Sequence, residues 1–225
     1  MSGFSIRLQL WLKLWFTSLP AIILMLLLPV AAYVLYMASS YRLAFFTSLF
    51  YERAAPLVVV FILQWCFSID YDSKFVGQLL TYPIARWRII AERALLASLL
   101  FISLMCLVSI GLAFFAGGYI WKGLLLSIPV YAGIGGVVVL GTVIGRHSIG
   151  GLCAGLAVWI LSLYGGASSL YIRPHLLALP GLYEYVSGNL LAGENRWILY
   201  NRLCYIGLGL LLSVLSILHI NRRSG

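Results

Sequence analysis

The chain has 225 residues, 63% of them hydrophobic and only 9% charged, with a mean hydropathy of +1.03. A soluble globular domain carries roughly 25% charged residues, so this composition cannot clothe a water-facing surface in the usual way. The net charge of +9 comes from Lys and Arg residues scattered among short segments, which excludes a basic face for nucleic acid. Cys66, Cys106, Cys153 and Cys204 fall in four different apolar runs without CxxC spacing, so they read as small apolar residues.

In chain order, Phe4 to Thr17 is too short to span. Ser5, Gln9, Lys13 and Thr17 recur every four residues and form a narrow polar stripe, with Trp11, Trp15 and Phe16 away from it. Such a helix is expected to lie in the membrane interface, apolar side down, with its aromatic rings at headgroup depth. A signal-peptide n-region is the competing reading, but Leu19–Met37 is longer than a usual h-region and no clear small-x-small site follows.

A hydrocarbon core of about 30 Å needs roughly 20 residues of helix. Six spans are expected, at Leu19–Met37, Ala54–Ile69, Ala94–Ala116, Gly123–Gly145, Ile149–Tyr171 and Ile198–Ile220. The second is short and is expected to extend toward Phe50, with Glu52 and Arg53 snorkelling to the interface. With both termini cytoplasmic, nine basic residues fall inside and six outside, the direction that the distribution of basic residues favours.

Spans four and five carry Gly141-x-x-x-Gly145 and Gly151-x-x-x-Gly155, with Gly133, Gly135 and Gly136 nearby. Two glycines on one helix face allow close backbone approach, which lipid-embedded helices use where hydrophobic drive is weak. A mobile helix pair and ordinary bundle packing both fit this pattern.

No P-loop, His-Glu-x-x-His, Gly-x-Ser-x-Gly or paired intramembrane carboxylate occurs, and no catalytic residue or metal ligand is expected. His147, His175 and His219 lie far apart at span ends. Span interiors lack Asp, Glu, Lys and Arg except for Arg202, a turn inside the sixth and within reach of the outer interface. That argues against ion-driven transport and places the energy source outside this chain.

The segment 70–93, between spans two and three, carries the sharpest pattern. Asp70 or Asp72 can cap a helix start, Phe75, Val76, Leu79 and Leu80 share one face, and Pro83 ends the helix. Arg86 and Arg88 follow at the inner interface. The result is a short amphipathic helix, a break and a basic elbow, whose apolar face needs lipid or a protein against it.

Gln78-Leu-Leu-Thr-Tyr-Pro-Ile-Ala-Arg86, between the second and third of six spans, resembles the permease subunits of the type-2 ABC exporter family. Their signature there reads approximately Gly-Thr-x-Glu-x-Leu-Leu-x-x-Pro-Ile-x-Arg. The N-terminal amphipathic helix and the long segment before span six also look like that family's connecting helix and re-entrant outer helices. Where the family often has Gly-Thr and then Glu, this chain has Lys74-Phe75 and Gly77, so no polar contact carries over at those positions.

The resemblance implies an all-α polytopic membrane protein: one permease domain over residues 1–225, with an interfacial helix at 4–17, a cytoplasmic coupling elbow at 70–93 and an outer segment at 172–197. It implies that Leu79, Leu80, Tyr82 and Pro83 contact a separate ATPase subunit, with Phe75, Gln78 and Arg86 beside them. Two ATPase copies would hold ATP and magnesium, this chain holding no cofactor, and a second permease subunit, identical or homologous, would complete a dimer in the plasma membrane.

In the outer segment, Leu176 to Leu179 is apolar enough to dip into the bilayer and return at Pro180-Gly181, as an exit gate. A helix lying on the surface fits equally. An apolar interior and no large outer domain suggest an amphiphilic cargo, such as a peptide, lipid or drug. A substrate-capture subunit of a vitamin importer and a structural subunit of a larger membrane complex remain the alternative readings.

Overall fold

A computed structural model describes residues 3–39, 42–72, 86–164 and 196–222. Among them every regular element is helical. In order these are α1 (Gly3–Thr17), α2 (Leu19–Ala38), α3 (Leu43–Thr47), a π-helical segment (Ser48–Ala54), α4 (Ala55–Tyr71), α5 (Arg86–Ala116), α6 (Tyr119–Gly145), α7 (Ser148–Tyr164) and α8 (Arg196–Arg222).

Among the described residues, five stretches are long and apolar enough to cross a membrane: Leu19–Ala38, Phe45–Tyr71, Trp87–Phe115, Tyr119–Gly145 and Ile198–Ile220. At 1.5 Å per residue, a 27-residue helix is about 40 Å long, more than a hydrocarbon core requires. α2 and α8 leave large apolar side chains exposed, among them Leu26, Val30, Leu210 and Val214. A soluble monomer does not present such surfaces. The chain is a helical, multi-pass membrane protein.

Helix ends follow local chemistry. Ser18 is extended and Pro20 stands in the first turn of α2, where its missing N–H costs nothing. Gly117 closes α5 with a positive φ of 65° and donates its N–H to the Ala113 carbonyl at 2.9 Å. Arg146 takes the left-handed conformation, φ 52°, between α6 and α7. These two-residue turns lay α5, α6 and α7 side by side, with α6 packed against α8, α7, α4 and α5.

The second crossing is longer than the apolar run suggested. Helical backbone begins at Leu43 and continues through the π segment into α4. Pro56 explains the widening: it has no N–H for the Glu52 carbonyl, and its ring would strike that carbonyl in a regular helix. Ala55 accordingly donates to the Phe50 carbonyl, five residues back. The Tyr51 carbonyl, which Ala55 would occupy in an α-helix, accepts the Tyr131 hydroxyl at 2.7 Å. The Arg53 carbonyl accepts Trp159 Nε1, also at 2.7 Å. Breaking one helix's ladder thus ties it to α6 and α7.

Other bounds moved less. α5 starts at Arg86, eight residues before the expected Ala94, and α6 starts at Tyr119 instead of Gly123. α7 covers residues 148–164, and the remainder of the expected fifth span, to Tyr171, lies outside the described residues. In α1, Trp11 and Trp15 are buried against the bundle and only Phe16 of the three aromatics is exposed.

Candidate functional site

Polar residues buried in an apolar bundle concentrate in two layers, one at each end of α4. The first lies where α4 stops and α5 starts. Asp70, on the last turn of α4, accepts two hydrogen bonds from Arg93 of α5, Nε to Oδ2 at 2.5 Å and Nη2 to Oδ1 at 3.2 Å. Both residues are buried. The two-pronged geometry suits a planar guanidinium and fixes the two helices in register.

The Arg93 guanidinium carbon also sits 3.7 Å from the centre of the Trp11 ring, a cation–π contact that brings α1 into the cluster. Trp15 and Trp11 stand edge-on to Trp65 of α4, at 4.8 and 6.1 Å between centroids.

Asp72 reaches sideways instead. Its Oδ1 accepts the Ser148 N–H at 3.0 Å, and its Oδ2 accepts the Ser148 hydroxyl at 2.5 Å. The carboxylate therefore caps α7 and meets the positive end of its dipole, with His147 Nδ1 3.2 Å away. The sequence suggested that Asp70 or Asp72 caps the helix immediately following, which lies outside the described residues; within them Asp70 pairs with Arg93, and Asp72 caps a helix that starts 76 positions later. Gln64 Nε2 adds a further bond to Ser148 Oγ at 3.2 Å.

The second layer surrounds the π segment. Glu52 is completely buried and pairs with Arg202 of α8, itself 5% exposed. Ser48 Oγ donates to Glu52 Oε2 at 3.4 Å, and Arg202 Nη1 donates to Asn201 Oδ1 at 3.4 Å. Tyr51 and Ser109 share a hydroxyl–hydroxyl bond of 2.7 Å nearby. Expected to snorkel outward, Glu52 and Arg202 turn toward one another because a partner 150 residues away is available. Neither Arg53 Nε nor Arg202 Nε has a hydrogen-bond partner.

Between the layers, α4, α5, α6 and α8 enclose a cleft of about 300 Å³ with almost wholly apolar walls, including Val59, Leu63, Phe101, Tyr131 and Ile206. Among the described residues no group of three His, Cys, Asp or Glu side chains could hold a metal ion. All four cysteines are free thiols.

Phe75, Gln78, Leu79, Leu80, Tyr82 and Pro83 lie outside the described residues, as do Leu176, Leu179, Pro180 and Gly181. Arg86 opens α5. Gly141, Gly145, Gly151 and Gly155 lie where α6 and α7 run closest. A methyl group added at Gly141 would sit 2.7 Å from Ala154 Cβ, and one at Gly145 would sit 3.2 Å from Gly150 Cα. At Gly151 it would meet the Val138 carbonyl oxygen at 2.7 Å, and at Gly155 Val138 Cγ2 at 2.6 Å.

Sequence reasoning missed Gly209, which touches Gly136 across α6 and α8; an added methyl there would meet the Ala132 carbonyl at 2.5 Å. The available signal was Gly209-Leu-Leu-Leu-Ser213, a small-xxx-small spacing in α8. Sequence reasoning also missed the Glu52–Arg202 pair. The only available signal was an acid just ahead of one apolar run and a base a turn inside another. Compared with known protein families, curated proteins and solved structures, the chain has no match.

Proposed function

We propose that this chain is the membrane-spanning permease subunit of an ATP-driven, ABC-type exporter. In this reading α7 completes a sixth crossing with residues beyond Tyr164, both termini face the cytoplasm, and α1 lies along the inner interface. Two permease subunits enclose the pathway in the plasma membrane. Two ATPase subunits, which carry ATP and magnesium, press on the segment between α4 and α5. This chain supplies no hydrolytic chemistry of its own.

The observation that supports the reading is how firmly the flanks of that segment are tied. Asp70–Arg93 joins its two ends to each other and, through Trp11, to α1. Asp72–Ser148 joins its start to α7. A push on the elbow therefore moves four helices together, which a coupling element requires and a passive loop does not. The motif Gln78 to Arg86 and its place between the second and third crossings support the same reading.

Leu79→Asp with Leu80→Asp puts two charges on the apolar face of the elbow. Co-expressed with an ABC ATPase subunit that the unaltered chain retains on purification, the double variant is expected to lose co-purification while remaining monodisperse in detergent. Undiminished ATPase recovery would remove the docking assignment.

A further inference from the structure

We propose that the cleft between α5 and α8 binds one uncharged, unbranched hydrocarbon chain, admitted sideways from the middle of the bilayer. The cleft lies within a single chain and does not depend on ATPase docking.

The cavity is a slot. Along α8 its wall runs from Ile206 to Ser213, about 10 Å of helix, and along α5 from Ala94 to Ile102, about 12 Å, at 1.5 Å per residue. A volume of about 300 Å³ drawn out over that length suits an extended chain better than a compact ligand. Gly136 and Gly209, where α6 and α8 touch backbone to backbone, belong to its wall, and Ala97, Ala132 and Gly135 add little or no side chain to it. Its mouth faces outward, since Ile102, Ile206 and Leu210 of the lining are 45%, 38% and 65% exposed. A ligand entering there arrives from lipid, not from water.

The walls hold no charged side chain, and of the lining residues only Ser98, Tyr131 and Ser213 carry a hydroxyl. Each of these hydroxyls is already committed as a donor. Ser98 Oγ donates to the Ala94 carbonyl at 2.8 Å, Ser213 Oγ to the Gly209 carbonyl at 2.7 Å, and the Tyr131 hydroxyl to the Tyr51 carbonyl at 2.7 Å. No side-chain donor is left for a carboxylate, phosphate or ester, and no counter-charge for an amine, so a charged or strongly polar group would enter without compensation. Apolar cavities of this kind stay dry and take apolar guests. Depth selects in the same direction. The apolar stretch of α8 is Ile198–Ile220, so Ile206 lies eight residues, about 12 Å, inside one end and Ser213 seven residues, about 10 Å, inside the other. A molecule that filled the slot and carried a charged head would have to draw that head away from the interface into hydrocarbon, which is costly. A chain without one pays nothing of the kind.

The test uses the full-length chain in phosphatidylcholine nanodiscs without any ATPase, with a dodecane that carries a photoreactive diazirine at mid-chain as probe. Labelled peptides are mapped by mass spectrometry, and α2, whose Leu26, Leu27 and Val30 are exposed, reports the background from surrounding lipid. Labelling of α5 and α8 along the slot is expected to saturate, while that of α2 rises linearly with probe. Plain dodecane should compete for the saturable part; dodecyl phosphate and dodecyltrimethylammonium, whose heads stay at the interface, should not. Ser98→Phe and Ala132→Phe, which fill the slot from α5 and α6, should remove the saturable part. Leu99→Phe adds an aromatic ring to α5 outside the slot, and Ser98→Ala takes away only a hydroxyl; both should label as the unaltered chain does. If neither filled variant folds, saturation and competition on the unaltered chain carry the test. Linear labelling of α5 and α8 like that of α2, the result if phospholipid chains merely line the slot, would overturn the proposal. So would equal competition by either charged amphiphile, or saturable labelling that persists in both filled variants.

Discussion

Replacing Glu52 by leucine is expected to lower the stability of the chain by about 3–5 kcal/mol, because Arg202 then stays buried with its main counter-charge gone. The removed carboxylate is completely buried and accepts from both Arg202 and Ser48. For a chain of this size each kcal/mol moves the melting point by roughly 2–4 °C, so thermal unfolding in detergent should fall by about 10 °C. Arg202→Met should do the same. The double variant Glu52→Leu with Arg202→Met is expected to recover most of the loss, since two apolar side chains leave no uncompensated charge. Single and double variants melting at the same temperature would mean the pair is not energetically coupled.

Gly209→Leu should be nearly as damaging for a different reason. α6 and α8 approach until backbone touches backbone: a methyl group at Gly209 would lie 2.5 Å from the Ala132 carbonyl oxygen, and one at Gly136 2.8 Å from Gly209 Cα. The obstacle in each case is main chain, which cannot swing aside, so the helices must separate. Forcing extra carbons into a packed contact costs roughly 1–3 kcal/mol, and leucine adds more than one. Lipid offers these helices little hydrophobic reason to reassociate once parted. Gly207 is the internal control, because nothing lies within 4 Å of a methyl group placed there. Gly207→Ala should be neutral or slightly stabilising, given alanine's better helix propensity. Size-exclusion profiles and melting curves would show Gly209→Leu aggregating and Gly207→Ala unchanged.

The apolar runs alone located the long helices, because a membrane span is a local property: about 20 apolar residues suffice to define it. What escaped the sequence is what depends on distant residues. Glu52 at the edge of an apolar run reads as a residue that snorkels, and only the position of Arg202 makes burial the cheaper outcome. Trp11 and Trp15 read as lipid-facing rings until Trp65 and Arg93 are brought beneath them. The π segment escaped because its cause, Pro56, also suits the first turn of an ordinary helix. Asp72 was legible as a cap but not as the cap of a helix beginning at Ser148.

The elbow between α4 and α5 decides the account. A photo-crosslinking side chain placed at position 78, next in sequence to Leu79 and Leu80, reports directly on what this segment touches in native membranes. The transport reading predicts a single crosslinked product containing the ATPase subunit, its yield changing on addition of ATP. Crosslinks to phospholipid alone, with the ATPase present and expressed, would contradict it.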